Sequence, residues 1–347
     1  MITQFCDGGM YCMTVKAVQF HRFGNIDILE LAEVEPEPLK ENQVRVKVAA
    51  VGLNPVDYKI FEGVKQLRML SLLMKLKHPS RWFEKASSLF PRGVARDFAG
   101  TIIEVGKSVT QFSVGDRVFG TIISAPGLGS KRGALATEIC VKETEIASMP
   151  SNIDFLHGSV LGVSSLTVGG TFRKINIGTK DTIVISGASG GIGSIAVQYA
   201  VSKGARVIGI ASAGNADYLR SIGAIPISYH ESIKEKIQEL SGVTVTKMLD
   251  CYGGDYVKLG FQLGLRGDQI ATLVPSPSAI LKGAQFTGPR HSQYDDFLSL
   301  AELVSKGEIS VRLDKIYPFS LPEIKEAYKD LEKGHTRGKR VIVIQEE

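Results

Sequence analysis

The stretch of this 347-residue chain best suited to chemistry runs from Asp181 to Tyr199: Asp-Thr-Ile-Val-Ile-Ser-Gly-Ala-Ser-Gly-Gly-Ile-Gly-Ser-Ile-Ala-Val-Gln-Tyr. A short β-branched run passes into a glycine-rich turn and then into a small-residue amphipathic pattern. Strand, tight turn and helix in that order point free backbone N–H groups at a phosphate. Two readings fit it. Ala188-x-Gly190-x-x-Gly193 is a dinucleotide fingerprint with alanine in the first glycine position, which sets Ser189, Gly191 and Ile192 along a pyrophosphate. Gly187-x-Ser189-x-Gly191 is also the nucleophile elbow of an α/β-hydrolase, with Asp250 and then His291 or His335 downstream as acid and base. The elbow gives Gly193 no reason to be glycine, whereas a dinucleotide loop needs it for close packing of helix on strand.

About 20 residues beyond such a loop, an acid that hydrogen-bonds the ribose marks a preference for NAD. Here the chain reads Ile210-Ala-Ser-Ala-Gly-Asn-Ala, with no acid before Asp217. Without that charge a 2′-phosphate is not repelled, and Ser212 and Asn215 can donate hydrogen bonds to it, so the cofactor expected is NADPH. A second reactive cluster is Asn54-Pro-Val-Asp57-Tyr58-Lys59. Lys59 has the donors to hold an enolate oxygen or relay a proton, and partial burial would lower its pKa into a useful range. Asp57 reads as structural, pairing with backbone or a nearby cation.

The elements that position these residues follow two rhythms. From Met13 to about Val141 the chain is a series of short β-type segments broken by Gly, Pro and Asn, such as the alternating Val44-Arg-Val-Lys-Val-Ala-Ala. The exception is Val64 to Pro91, basic, helical in period and rich in Leu and Met. It reads as an inserted helix over a substrate cleft or subunit contact, or as a peripheral membrane contact through 64–90. From about Thr167 strand and helix alternate, the pattern of βαβ units and a parallel sheet. Strands are predicted at 182–186, 205–210, 225–228, 247–251, 268–273 and 283–287, and helices at 191–202, 216–222 and 231–240. After Pro289 come a helix over 293–306, another over 321–333 and a final strand from Gly338. The fold class expected is therefore α/β, in two domains: 13–141 with 290–347, and 142–289, after a disordered extension over 1–12.

Composition narrows the function. Apolar residues make up 44% and charged residues 22%, ordinary for a globular protein. The net charge of +5 is spread along the chain, which disfavours nucleic-acid binding. Cys6, Cys12, Cys140 and Cys251 have neither disulfide-framework nor zinc spacing, which fits a reducing, cytoplasmic compartment. No apolar run approaches the ~20 residues of a membrane span, and the N-terminus lacks the pattern of a secretory signal.

Several motifs recur together in one family. Gly52-Leu-Asn-Pro-Val-Asp-Tyr-Lys, Asp97-Phe-Ala-Gly-x-x-x-x-Val-Gly106, Val114-Gly-Asp-Arg-Val, Ser165-Leu-Thr167 and Gly334-His-Thr-Arg-Gly-Lys stand here in the order found in the zinc-independent medium-chain dehydrogenase/reductases. The chain most resembles their quinone oxidoreductase, alkenal (enone) reductase and trans-enoyl reductase group, from about Lys16 to Ile344. The resemblance implies a GroES-like β domain at both chain ends flanking a doubly wound Rossmann domain, with the active site in the cleft between them. It implies a homodimer and reduction of a quinone or an activated C=C bond. Zinc-binding members carry Cys where this chain has Asn54 and His-Glu where it has Arg96-Asp97, so no metal is expected. Relatives use the residues matching Asn54 and Lys59 near the nicotinamide ribose and substrate oxygen, and Tyr58 joins them as a catalytic candidate. Thr167 would bond the nicotinamide amide, and Tyr229 matches a tyrosine near the 2′-phosphate. Arg337 and Leu273 complete the cofactor-binding set. Some members of the superfamily bind partners or membranes and reduce little, and the 64–90 segment would be the feature responsible for that alternative.

Overall fold

The computed structural model describes residues 3–5, 11–63, 90–123, 130–274, 276–334 and 336–345. The chain divides into two compact units, one of Met1–Val163, Lys315–Gly334 and Arg340–Glu347, the other of Ser164–Asp314 and His335–Lys339.

The first unit is built on a seven-stranded sheet. Its spine is the eleven-residue strand Gln43–Leu53, whose Val44, Val46, Val48 and Val51 are fully buried. Asp97–Val105 pairs antiparallel with it, setting Val51 opposite Phe98, and Lys339–Val343 runs along its other side, with Val341 opposite Gly52. Arg117–Thr121 and Ile146–Ser148 extend the sheet beyond Asp97–Val105. The core packs these valines with Phe98, Ile102, Val118, Phe61 and Tyr328. At the end of the spine the sequence turns sharply. Pro55 begins the helix Pro55–Glu62 with its φ already set and no N–H to lose, and Gly63, at φ +69°, closes it.

The second unit holds a six-stranded parallel sheet in the order Ala224–Ser228, Arg206–Ala211, Thr182–Ser186, Lys247–Asp250, Ile270–Thr272, Gln285–Phe286. In chain order this is 3-2-1-4-5-6, the doubly wound arrangement, and it reverses between Thr182–Ser186 and Lys247–Asp250. Every residue of Thr182–Ser186 is buried, as a strand covered on both faces must be.

Each strand forecast for this sheet forms, with ends shifted by a residue or two. The helix Gly162–Ile175, which carries Gly169 and Gly170 in its interior, lay outside the forecast. Space requires them: a Cβ on Gly169 would stand within 2.3 Å of Asp296 Oδ1, and Asp296 is ion-paired to Arg173 of the same helix at 2.6 Å. That pair draws the helix Asp295–Ser305 into the second unit, so the divide falls near 314, where the sequence rhythm set it at 289. Residues 142–163 belong to the first unit because Ile146–Ser148 pairs with Arg117–Thr121. Within the expected extension 1–12, Thr3–Phe5 pairs with Tyr11–Met13. The expectations for 64–90 lie almost wholly outside the described residues.

Candidate cofactor and active site

In the second unit the glycine turn starts where Thr182–Ser186 ends. Gly187 holds φ +60°, which costs an L-residue with a Cβ, and Gly190 N–H donates to Gly187 O at 3.0 Å to close the turn. The helix Gly191–Ser202 follows at once, with Gly190 extended at its N-cap. A Cβ on Gly193 would lie 2.1 Å from Gly187 O, so only glycine lets helix and turn approach this closely. Ala188 is fully buried with its methyl toward Gly209 of the neighbouring strand; the missing side chain there leaves room for alanine in the first position. The turn thus has the shape of a pyrophosphate cradle at a helix N-terminus.

Beside it lies a polar network with no carboxylate in it. Asn215 Nδ2 donates to Ser189 Oγ at 3.1 Å and to Ser212 Oγ at 2.9 Å. Arg337 Nε donates to Asn215 Oδ1 at 2.6 Å and its Nη2 to Gly214 O at 2.9 Å. The C-terminal segment is held here because Gly338 N–H donates to Ser189 O at 3.1 Å. Asp217, the first acid downstream, has a fully exposed side chain that pairs with Arg220 at 2.7 Å. Tyr229 N–H donates to Ala211 O, which brings this tyrosine level with Ser212. Five of the expected cofactor residues, Ser189, Ser212, Asn215, Tyr229 and Arg337, are therefore neighbours.

Asp250 is a hub that sequence reasoning gave only to the hydrolase alternative. Its buried carboxylate accepts from Ser186 Oγ at 2.6 Å, Thr272 Oγ1 at 2.9 Å, and the N–H groups of Tyr252 and Gly253. It ties together the ends of three neighbouring strands at the reversal point, and its own carbonyl accepts from Leu273 N–H at 2.9 Å. Among the described residues neither Ser189 nor Asp250 bonds a histidine, so a Ser-Asp-His triad is not assembled. Thr167 is buried in the helix Gly162–Ile175.

In the first unit Asn54 is buried at the turn between Gln43–Leu53 and the helix, and its Nδ2 donates to Asp97 Oδ2 at 2.9 Å. Asp97, fully buried, also accepts from Val163 N–H through Oδ1 at 2.8 Å. Asp57 Oδ2 accepts from Asn54 N–H at 2.8 Å, the structural role expected of it. The Arg96 guanidinium lies near both carboxylates; burial lowers its pKa and the two acids oppose that shift. Asp97 had entered the sequence argument as the start of a family motif, and with Arg96 as a residue unlike a zinc ligand, but neither as a partner of Asn54 or Asp57. The contacts of Asp97 with Asn54 and Val163 span 43 and 66 residues of chain, and no local pattern reveals them.

Lys59, on the same helix, is more than half buried, and burial lowers its pKa while Glu62 pulls it back. Tyr58 is half-buried and its pKa is raised, by burial first and then by Glu62 and Glu332. Lys59 is thus the easier of the two to deprotonate relative to its ordinary value, Tyr58 the harder. Among the described residues no group of three or more His, Cys, Asp and Glu side chains could hold a metal ion.

Comparison with known proteins agrees with this architecture. Residues 40–151 match the alcohol dehydrogenase GroES-like domain and residues 233–342 match the zinc-binding dehydrogenase domain. The chain belongs to the medium-chain dehydrogenase/reductase superfamily. Within it, the chain is 28% identical to 2-methylene-furan-3-one reductase of Solanum lycopersicum, over 94% of this chain and 79% of that protein. It is 27% identical to the chloroplastic NADPH-dependent alkenal/one oxidoreductase of Arabidopsis thaliana over the same shares. The quinone oxidoreductase of Coxiella burnetii superposes with a TM-score of 0.80 at 27% identity, covering 96% of this chain and all of that one. The protein is accordingly an oxidoreductase that uses a nicotinamide cofactor.

Proposed function

We propose that the protein is an NADPH-dependent reductase that transfers hydride to a quinone or to the activated C=C bond of an enone, enal or enoyl substrate, without zinc. The observation that carries the choice of NADPH is the carboxylate-free network of Ser212, Asn215 and Arg337 beside the glycine turn. A 2′-phosphate is a dianion with acceptor oxygens only; it fits hydroxyl, carboxamide and guanidinium donors and would be repelled by an acid. The names of the tomato and Arabidopsis relatives favour C=C reduction, and that of the Coxiella enzyme favours quinones.

When bound, the nicotinamide supplies the hydride. The residues of the chain do the rest. Backbone N–H groups of Ser189 and of Gly191 to Gly193 would hold the pyrophosphate, those of Ala188 and Gly190 being bonded to Ile210 O and Gly187 O, and Thr167, Leu273 and Tyr229 complete the cofactor contacts. Lys59 donates a hydrogen bond to the substrate oxygen as negative charge develops there and relays the proton that completes reduction. Burial suits it to that task, since a lowered pKa makes proton release easier. Asn54 and Tyr58 flank it, Asn54 anchored through Asp97. In place of a metal ion the site has the cationic Arg96 beside Asp57 and Asp97. We also read the protein as a cytoplasmic homodimer, a state that sedimentation velocity tests directly.

The cofactor test is Ser212→Asp. Calorimetric titration of the unmodified protein should show NADPH bound more tightly than NADH, and the new carboxylate should erase or reverse that order by repelling the 2′-phosphate. Tighter binding of NADH by the unmodified protein overturns the reading.

A further inference from the structure

A second arginine stands beside the first. Arg312 and Arg337 each place their guanidinium carbon about 6 Å from the Tyr218 ring centroid, at 5.9 and 6.0 Å. They come from neighbouring backbone segments, since Lys339 N–H donates to Arg312 O at 2.8 Å and a Cβ on Gly338 would meet Arg312 Cβ at 3.0 Å. Neither arginine forms an ion pair with a carboxylate among the described residues. Arg337 spends its donors on Asn215 Oδ1 and Gly214 O, both uncharged. Tyr218 adds a buried hydroxyl that has no hydrogen-bond partner among the described residues. Two cations held against one ring with no counter-charge repel one another, and such an arrangement is stabilised by an anion that both can reach.

We propose that Arg312 is a specificity-determining residue of this chain, closing with Arg337 a two-arginine clamp, with Tyr218 as its platform, on the 2′-phosphate of the cofactor. The inference rests on the NADPH reading above and adds a residue to it. It also supplies what the loop after Arg206–Ala211 lacks. That loop, Ser212-Ala-Gly-Asn215, has no basic side chain of its own, and the positive charge is delivered from the C-terminal part of the second unit. Packing alone is the competing account of Arg312: a cation over an aromatic ring has some worth at an exposed site without any ligand. The two accounts differ in what a charge-neutral replacement does to each cofactor. A packing role moves both affinities or neither; a phosphate contact moves one.

The test is calorimetric titration of NADPH, NADH and the fragment adenosine 2′,5′-bisphosphate into the unmodified protein, Arg312→Gln and Arg312→Lys. The expected result is a loss of about 5- to 20-fold in affinity for NADPH and for the bisphosphate in Arg312→Gln, the scale of one solvent-accessible charge-assisted contact. NADH should bind that variant as it binds the unmodified protein. Arg312→Lys should recover part of the loss, because the charge returns without the planar fork. Raising the salt concentration should weaken NADPH binding less steeply in Arg312→Gln than in the unmodified protein. An unmodified protein that prefers NADPH together with an unchanged Arg312→Gln overturns the clamp and leaves the NADPH reading standing. Equal losses for NADPH and NADH also overturn it, since Arg312 would then act through packing. An unmodified protein with no preference for NADPH overturns the reading beneath it, whatever the variants do.

Discussion

Gly193→Ala probes the geometry of the glycine turn. The added Cβ would sit 2.1 Å from Gly187 O, 2.8 Å from Gly187 C and 2.9 Å from Ala188 Cα. All three are backbone atoms, so no rotamer change relieves the contact. Cβ atoms essentially never approach another heavy atom closer than 3.0 Å, so helix and turn must separate by about 1 Å. Overpacking of that kind costs about 1–3 kcal/mol, which for a unit of this size lowers the melting temperature by roughly 2–10 °C. The same displacement spoils the aim of the N–H groups at the pyrophosphate, and NADPH affinity should fall on the order of 10²-fold. Gly190→Ala is the matched control for the melt alone: its Cβ would meet only Gly187 O, at 3.2 Å, and its extended backbone suits any residue, although a methyl there faces the pyrophosphate. Thermal melts on both variants and calorimetry on Gly193→Ala check the argument. A Gly193→Ala protein that melts and binds NADPH like the unmodified one would refute it, because the turn would then have slack that its backbone packing denies.

Lys59→Met should lower enone turnover by roughly 10²–10⁴-fold, the scale of a positioned acid–base group, with NADPH affinity nearly unchanged. The same substitution should raise the melting temperature at pH 7. Burial penalises the lysine cation, so the native state binds fewer protons than the unfolded chain, and the penalty operates below the lowered pKa and fades as pH rises toward the unfolded value near ~10.4. The gain from Lys59→Met should therefore shrink in melts recorded at increasing alkaline pH, and a gain that grows would contradict the assignment. Chelation followed by elemental analysis should leave turnover intact with far less than one zinc per chain, because the Arg96 cation beside Asp57 and Asp97 would repel a metal ion drawn to those carboxylates; tightly held stoichiometric zinc would refute this.

Much of the second unit could be read from sequence because its signals are local. Thr182–Ser186 is a β-branched run, Gly187 and Gly193 are demanded by backbone geometry within seven residues, and the missing acid before Asp217 is a matter of counting. The helix Gly162–Ile175 escaped because Gly169 answers to Asp296 and Gly170 to Gly288 and Ser292, over a hundred residues away. Arg312 and Asp250 escaped for the same reason: the first acquires meaning only when the C-terminal segment bonds Ser189, the second only when three strands end side by side. In the first unit the motif singled out Asn54 and Lys59 as candidates. The carboxylate that anchors Asn54 could not be read as its partner, since Asp97 lies on another strand of the sheet.

The most direct measurement of the central claim is NADPH oxidation, followed at 340 nm, by the metal-free protein with an α,β-unsaturated ketone and with a benzoquinone, each repeated with NADH. The account predicts turnover of at least one of the two substrates, with kcat/KM higher for NADPH than for NADH and unaffected by chelator. Failure to oxidise NADPH with either class, or a preference for NADH, would contradict it.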